Sequence, residues 1–293
     1  MSEFQPGILA PLPAAARYLA FDLVPGGDAP RALQVIRAHC DGTGLVCGLG
    51  AHLVSALGRQ IAGLQPFPDF SEAKVPVPAN SYALWCWLRG EARGDLVLQA
   101  RNLVGELAPD LLPVQVVDAF LYAGGRDLTG YEDGTENPVG DAALSTALLA
   151  GQGEGLDGSS FVAVQQWTHD FTAFGALSQS EQDDAFGRRR ADNEELEDAP
   201  ESAHVKRTAQ ESFAPEAFVW RRSMPWADSG AEGLVFVAFG HSHAAFEVQM
   251  RRMAGLEDGV VDALFHFSRP QTGAYFWCPP MREGKLDLRA LGV

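Results

Sequence analysis

Cysteine is scarce in this chain. Four occur in 293 residues (Cys40, Cys47, Cys86 and Cys278), and no two are spaced as CxxC. That argues against zinc ribbons, iron–sulfur clusters and covalently attached c-type haem, and it suits reduced, structural thiols of a cytoplasmic protein. Positive charge is scarce as well: 22 Lys and Arg stand against 38 Asp and Glu, a net charge of -16. With no basic stripe to meet phosphates, neither a nucleic-acid partner nor an anionic membrane surface is expected. Long apolar runs are missing too, so no membrane span is expected. The opening MSEFQPGILAPLPAAARYLAFDL has no basic segment ahead of an apolar core, so no export signal is expected either.

The chain does carry 46% hydrophobic residues, enough for a large core. They are arranged as one plan used twice. In the first half ARYLAFDLV reads as a strand, PRALQVIRAHC as a helix, SYALWCWLRG as a strand, GDLVLQARNLVGEL as a helix and VQVVDAFLYAGG as a strand. In the second half SSFVAVQQWTHD, FVWRRSMPW, GLVFVAFG and TGAYFWCP read as strands, with the helix HAAFEVQMRRMAG before the last. Phe246, Met250 and Met253 share a face of that helix, and Gly255 is its expected stop. Ser178 and Glu181 have the spacing of a capping box. The pattern predicts an α+β protein of two ferredoxin-like units with mainly antiparallel sheets, barrel-like as a pair. The units would cover residues 1–125 and 159–293, joined by a Gly-rich segment, 126–158.

Three stretches carry chemistry. GYEDGTENP (130–138) sets Glu132, Asp133 and Glu136 among turn residues, either as a solvated loop or as a device for aiming one acid. GRRRADNEELEDAPESAHVKR (187–207) alternates base and acid, as solvated excursions do, and ends at His204. VWRRSMPW places Arg221 and Arg222 directly after an apolar strand, and an inward-facing arginine there needs an anionic partner. Of the other histidines, His241 and His243 stand two apart at a strand-to-helix junction without a neighbouring carboxylate. His169, in THD, is expected to satisfy backbone or helix-end groups.

GYEDGTENP resembles the GxxDGTENP signature of the dye-decolorising peroxidases, in particular their B class. The segment ending at His204 and the strand end VWRRSMPW resemble that family in order and spacing, so the likeness runs from about Leu19 to the C-terminus. The resemblance implies haem b as cofactor, with His204 as the axial ligand of its iron and Asp133 and Arg221 on the distal face. Ser223 stands where B-class members often have asparagine, and it is a tentative third catalytic residue. Asp262 is a candidate acceptor for the second N–H of His204. The implied reaction is oxidation of small-molecule donors (dyes, phenolics or Mn(II)) by hydrogen peroxide in one-electron steps, with Trp220, Trp226 and Tyr131 as candidate electron relays. The alternative is a haem- or porphyrin-handling protein with incidental peroxidase activity. A homo-oligomer is implied as well. The ending KLDLRALGV, without a long extension, argues against cargo of a protein nanocompartment.

Overall fold

In the computed structural model, which describes residues 3–293, the first unit runs β1 (Ala15–Leu23), α1 (Ala29–His39), β2 (Leu45–Leu49), α2 (Ala51–Ala56), β3 (Leu84–Gly90), α3 (Arg93–Leu107) and β4 (Leu111–Phe120). After α4 (Asp141–Ala147) the second unit begins with β5 (Ser160–His169). It continues through α5 (Phe171–Ala176), α6 (Gln179–Phe186) and α7 (His204–Arg207) to a broken strand, β6 (Trp220–Arg221) and β7 (Met224–Ala227). Then come β8 (Glu232–Gly240), α8 (Ala244–Met253), β9 (Ser268–Pro270) and β10 (Ala274–Cys278).

The neighbours in the first unit run β4-β1-β3-β2, and in the second β10-β5-β8 with β6 and β7 beyond, all antiparallel. Each is the strand order of a ferredoxin-like unit. Two narrow seams, Ala119 opposite Trp226 and Leu49 opposite Trp277, join the units into a closed ring of strands. Closure removes the free edges that an open sheet would expose.

Alternation along the strands explains why their sequences are apolar almost throughout. Tyr18, Trp85, Trp87, Phe239 and Phe276 point into the barrel and fill it. Leu19, Phe21, Cys86 and Leu88 point outward beneath α1 and α3. On the second unit Ala163, Trp167, Ala238 and Tyr275 point outward beneath α8, whose Phe246, Met250 and Met253 face them as the helical spacing predicts. The Ser178–Glu181 capping box forms, and Gly187 ends α6 in the left-handed region at φ 79°. All four cysteines are buried and unpaired.

Three elements differ from the sequence pattern. β2 carries no strand signal of its own, because LVCGL is five residues with both faces buried and shows no alternation. β4 starts at Leu111, upstream of the VQVV run. The excursion 187–207 is not freely solvated: Ala199, Ala203 and Arg207 are buried, and Arg207 pairs with Asp258 at 2.8 Å.

The barrel interior yields a stability test. Trp85 is 2% exposed and packs against Tyr18, Phe239 and Phe276. Trp85→Ala is expected to cost about 3–5 kcal/mol, by lost transfer energy and an unfilled cavity. The denaturant midpoint of the purified variant, compared at equal slope, checks it.

Candidate active site

The loop of residues 130–138 turns twice through glycine. Gly130 and Gly134 have φ of 89° and 80°, a region that disfavours side chains. A Cβ at Gly130 would also come within 2.9 Å of the Arg190 side chain. The asparagine of the motif then does the joining. Asn137 Nδ2 donates to the Arg221 carbonyl at 3.0 Å, and Arg221 N–H donates to Asn137 Oδ1 at 2.8 Å. These two bonds stitch the loop to β6, which brings the Arg221 guanidinium to 3.4 Å from the Asp133 carboxylate.

The neighbouring acids have other partners. Glu132 pairs with Arg126 at 2.8 Å and accepts from Asn193 at 3.1 Å, so it is anchored rather than merely solvated. Glu136 pairs with Arg188, and Thr135 Oγ1 accepts from Asn193 at 2.9 Å. Asp133 therefore is the carboxylate of this motif that stands with Arg221.

His204 opens α7. Its Nδ1 lies 2.7 Å from Asp262 Oδ2, and the fully buried Asp262 carboxylate is itself fixed by the Leu264 N–H at 2.9 Å. With Nδ1–H donating to Asp262, the other ring nitrogen, Nε2, keeps its lone pair available.

His204, Asp133 and Arg221, from three distant parts of the chain, line one cavity. Together with the open space at its mouth it spans about 920 Å³. Its walls are largely apolar, with Phe186, Leu234, Phe236, Phe246, Met250 and Phe267 among them. A polar recess bounded by Arg188, Asn193 and Lys206 shares Tyr131, Phe186, His204 and Arg221 with it. Arg221 Nε is buried without a hydrogen-bond partner. A flat apolar cofactor bearing a metal that accepts imidazole, and acidic groups at one edge, fits this donor set: a free imidazole nitrogen, apolar walls, a polar mouth and an unsatisfied guanidinium.

Arg222 turns the other way. Its guanidinium lies 4.0 Å from the centre of the Trp220 ring and donates to the Leu9 carbonyl at 3.2 Å. Burial, reinforced by the charge of Arg89 and opposed by Asp133, pushes its pKa down to about 10, so it remains a cation at neutral pH. Ser223 does not meet the expectation of a third catalytic residue. It is 5% exposed, its hydroxyl accepts a long 3.5 Å bond from Val237 N–H, and it is not part of the cavity wall.

The sequence reading missed a further polar cluster on the wall. His169 Nε2 lies 3.2 Å from Asp127 Oδ1 and its Nδ1 lies 2.7 Å from Ser268 Oγ. Asp127 Oδ2 also accepts from Thr129 N and Oγ1. Burial alone would raise the Asp127 carboxyl; the hydrogen bonds and charge of His169 and the bonds from Thr129 outweigh it and hold the group below the usual carboxylate range. His169 thus pairs with side chains across the fold instead of capping α5, whose N-cap is Asp170. Partners 42 and 99 residues away leave no signal in local sequence.

The family described as "Dyp-type peroxidase, C-terminal" matches residues 124–283, more than half of the chain. A dye-decolorizing peroxidase of Mycolicibacterium paratuberculosis is 30% identical, over 93% of this chain and 82% of that protein. Among solved structures, a variant of Rhodococcus jostii RHA1 DypB in complex with heme superposes with a TM-score of 0.85 at 27% identity, covering 92% of this chain and 94% of the other. A dye-decolorizing protein from V. cholerae has a TM-score of 0.85 at 25% identity, covering 98% of both chains. On this match, and with a fold of the same kind, the chain belongs to the dye-decolorising (Dyp-type) peroxidase family.

Proposed function

We propose that the chain is a haem b peroxidase in which His204 is the axial ligand and Asp133 and Arg221 handle hydrogen peroxide. The observation that carries this assignment is that His204, with Nδ1 tied to Asp262, and the Asp133–Arg221 pair line the same cavity. When bound, haem supplies the redox-active iron at which the O–O bond is split.

The protein's own groups divide the remaining work. Asp262 holds the His204 ring in one tautomer and orientation and raises the basicity of the ligating nitrogen. Asp133 accepts the proton from one peroxide oxygen and returns it to the other, which then departs as water. Arg221 stabilises the negative charge that builds as the bond breaks, and a guanidinium, having no lone pair to offer, does not compete as a base. Phe186, Phe246 and Phe267 keep bulk water away, so the guanidinium acts in a medium of low dielectric. Arg188 and Lys206, in a recess that also holds Glu132, Glu136, Glu195 and Glu211, would be the groups to hold the carboxylates of the porphyrin. Two donor molecules each then give up one electron and one proton per peroxide consumed.

For donors too large to enter, the aromatic side chains near the site differ in their fitness as relays. The indole N–H groups of Trp220 and Trp226 donate to the Ile8 and Trp167 carbonyls, at 2.8 and 2.9 Å, within the barrel. Tyr131 lines the cavity, stacks on Phe186 with ring centres 3.8 Å apart, and donates its hydroxyl to Asp183. A phenol loses an electron readily only if its proton has somewhere to go, and here a carboxylate receives it. We assign the relay to Tyr131.

Four measurements follow from these roles. His204→Ala should abolish the Soret band on titration of the purified protein with haem; a band of wild-type position and intensity would refute axial ligation. Asp262→Asn should keep the band but lower haem affinity or turnover by about 10–100-fold. Asp133→Ala and Arg221→Leu should bind haem normally and lose about 10²–10⁴-fold in the rate with peroxide, followed by stopped-flow. A porphyrin carrier with incidental turnover would show no such selective loss. Tyr131→Phe should slow oxidation of a bulky anthraquinone dye at unchanged peroxide kinetics, while Trp226→Phe should not; equal dye rates in all three proteins would rule the relay out.

A further inference from the structure

The peroxidase reading leaves one large cleft without a role. It lies between α2, the irregular segment after it, and the start of β10, and it encloses about 1130 Å³ including its mouth. Residues 57–82 of the first unit cross here to the second, where Phe67, Phe70 and Val77 join the cluster under α8. A cleft between two units is a common place for a small ligand.

Its chemistry is unlike the rest of the surface. His52 and Arg59 stand at its rim, and no Asp or Glu lines it, although the chain as a whole has 38 acidic residues against 22 basic ones. Arg59 is exposed and enters none of the ion pairs among the described residues. Two carboxylates stand nearby on packed elements: Glu247 of α8 accepts from Gln65 at 3.5 Å, and the charge of Asp22 on β1 is felt by Tyr82. The walls are aromatic, with Phe67, Tyr82 and Tyr275. Tyr275 is buried, its hydroxyl has no hydrogen-bond partner, and its ring stacks at 3.8 Å on His243. Buried polar groups left this way call for a partner. Flat apolar walls beneath a cationic rim suit a planar ring that carries a carboxylate.

The cleft is also separated from the haem cavity by a single layer of rings. Phe67 and Tyr275 have centres 4.7 Å apart, and each lies 5.8 Å from Phe246, which lines the haem cavity.

We propose that this cleft is a second donor site, which binds phenolic acids through Arg59 and the aromatic wall and passes their electrons to the haem cavity through the Phe67–Tyr275–Phe246 layer. Binding stands on the cleft alone; the electron step rests on the haem reading. In that step the bound phenol gives one electron across the ring layer to the centre that peroxide has oxidised. Its hydroxyl proton leaves to water at the open mouth, and a phenoxyl radical departs. Two such donors balance one peroxide.

Syringate, an easily oxidised phenolic acid, is the probe. Its dissociation constant is measured by calorimetry on the resting holoenzyme, and its KM in turnover, for wild type, Arg59→Glu and Ser55→Trp, the last filling the cleft from exposed α2. Both variants should weaken binding and raise the KM for syringate at least tenfold, with the Soret spectrum and the kinetics for peroxide unchanged. Unchanged syringate binding in both variants would overturn the proposal, as would binding that shifts the Soret band and is competed by cyanide, which places the donor in the haem cavity. If the purified protein shows Arg59-dependent syringate binding but takes up no haem, the binding site stands and the electron step is overturned together with the haem reading.

Discussion

Two hydrogen bonds from one side chain decide the geometry of the site. The loop that carries Asp133 belongs to the link between the units, and the strand that carries Arg221 belongs to the second unit. Neither alone would place an acid beside a guanidinium. Asn137 ties them by occupying both the N–H and the C=O of Arg221, at 2.8 and 3.0 Å. Because both bonds go to the backbone, the arginine side chain stays free to face the cavity, and its Nε remains unsatisfied there. The asparagine therefore sets position, and the arginine retains its charge for chemistry.

The barrel matters to the site by being full. Tyr18, Trp85, Trp87, Phe239 and Phe276 occupy its interior, so a ligand must bind outside, between the outer face of the second sheet and the helices over it. On that face α8 contributes Phe246, Met250 and Met253 to the cavity, and the excursion before β6 contributes His204. The two units follow the same strand order but have unlike coverings. The first is sealed by α1 and α3 over an apolar layer, while the second has its crossover drawn out into α5, α6, α7 and the loops between them. That lengthened crossover is what makes room for a cofactor.

Much of the fold is legible in the sequence, for physical reasons. Strands with both faces buried are apolar throughout, and α8 shows its buried stripe at helical spacing, so the repeated plan can be read from pattern. The site itself cannot. His204, Asp133 and Arg221 lie 71 and 17 residues apart in opposite directions along the chain, counted from His204, and composition gives none of them priority; three separate stretches resembling the family single them out. Ser223 shows the limit of that route, because matching position in a motif does not ensure that a shorter side chain reaches the cavity. The Asp127–His169–Ser268 chain shows the opposite failure, since its members meet only through the fold.

The ion pairs at the cavity mouth have an electrical consequence. Glu136 grips Arg188, and Glu132 accepts from Asn193, so the link between the units is fastened to the excursion that ends at His204 in part by a charge pair near solvent. Dissolved ions screen such attractions over about 8 Å at physiological strength. The portal is thus held by a fastening whose grip varies with the surrounding electrolyte, whereas the imidazole anchored to buried Asp262 is insulated from it.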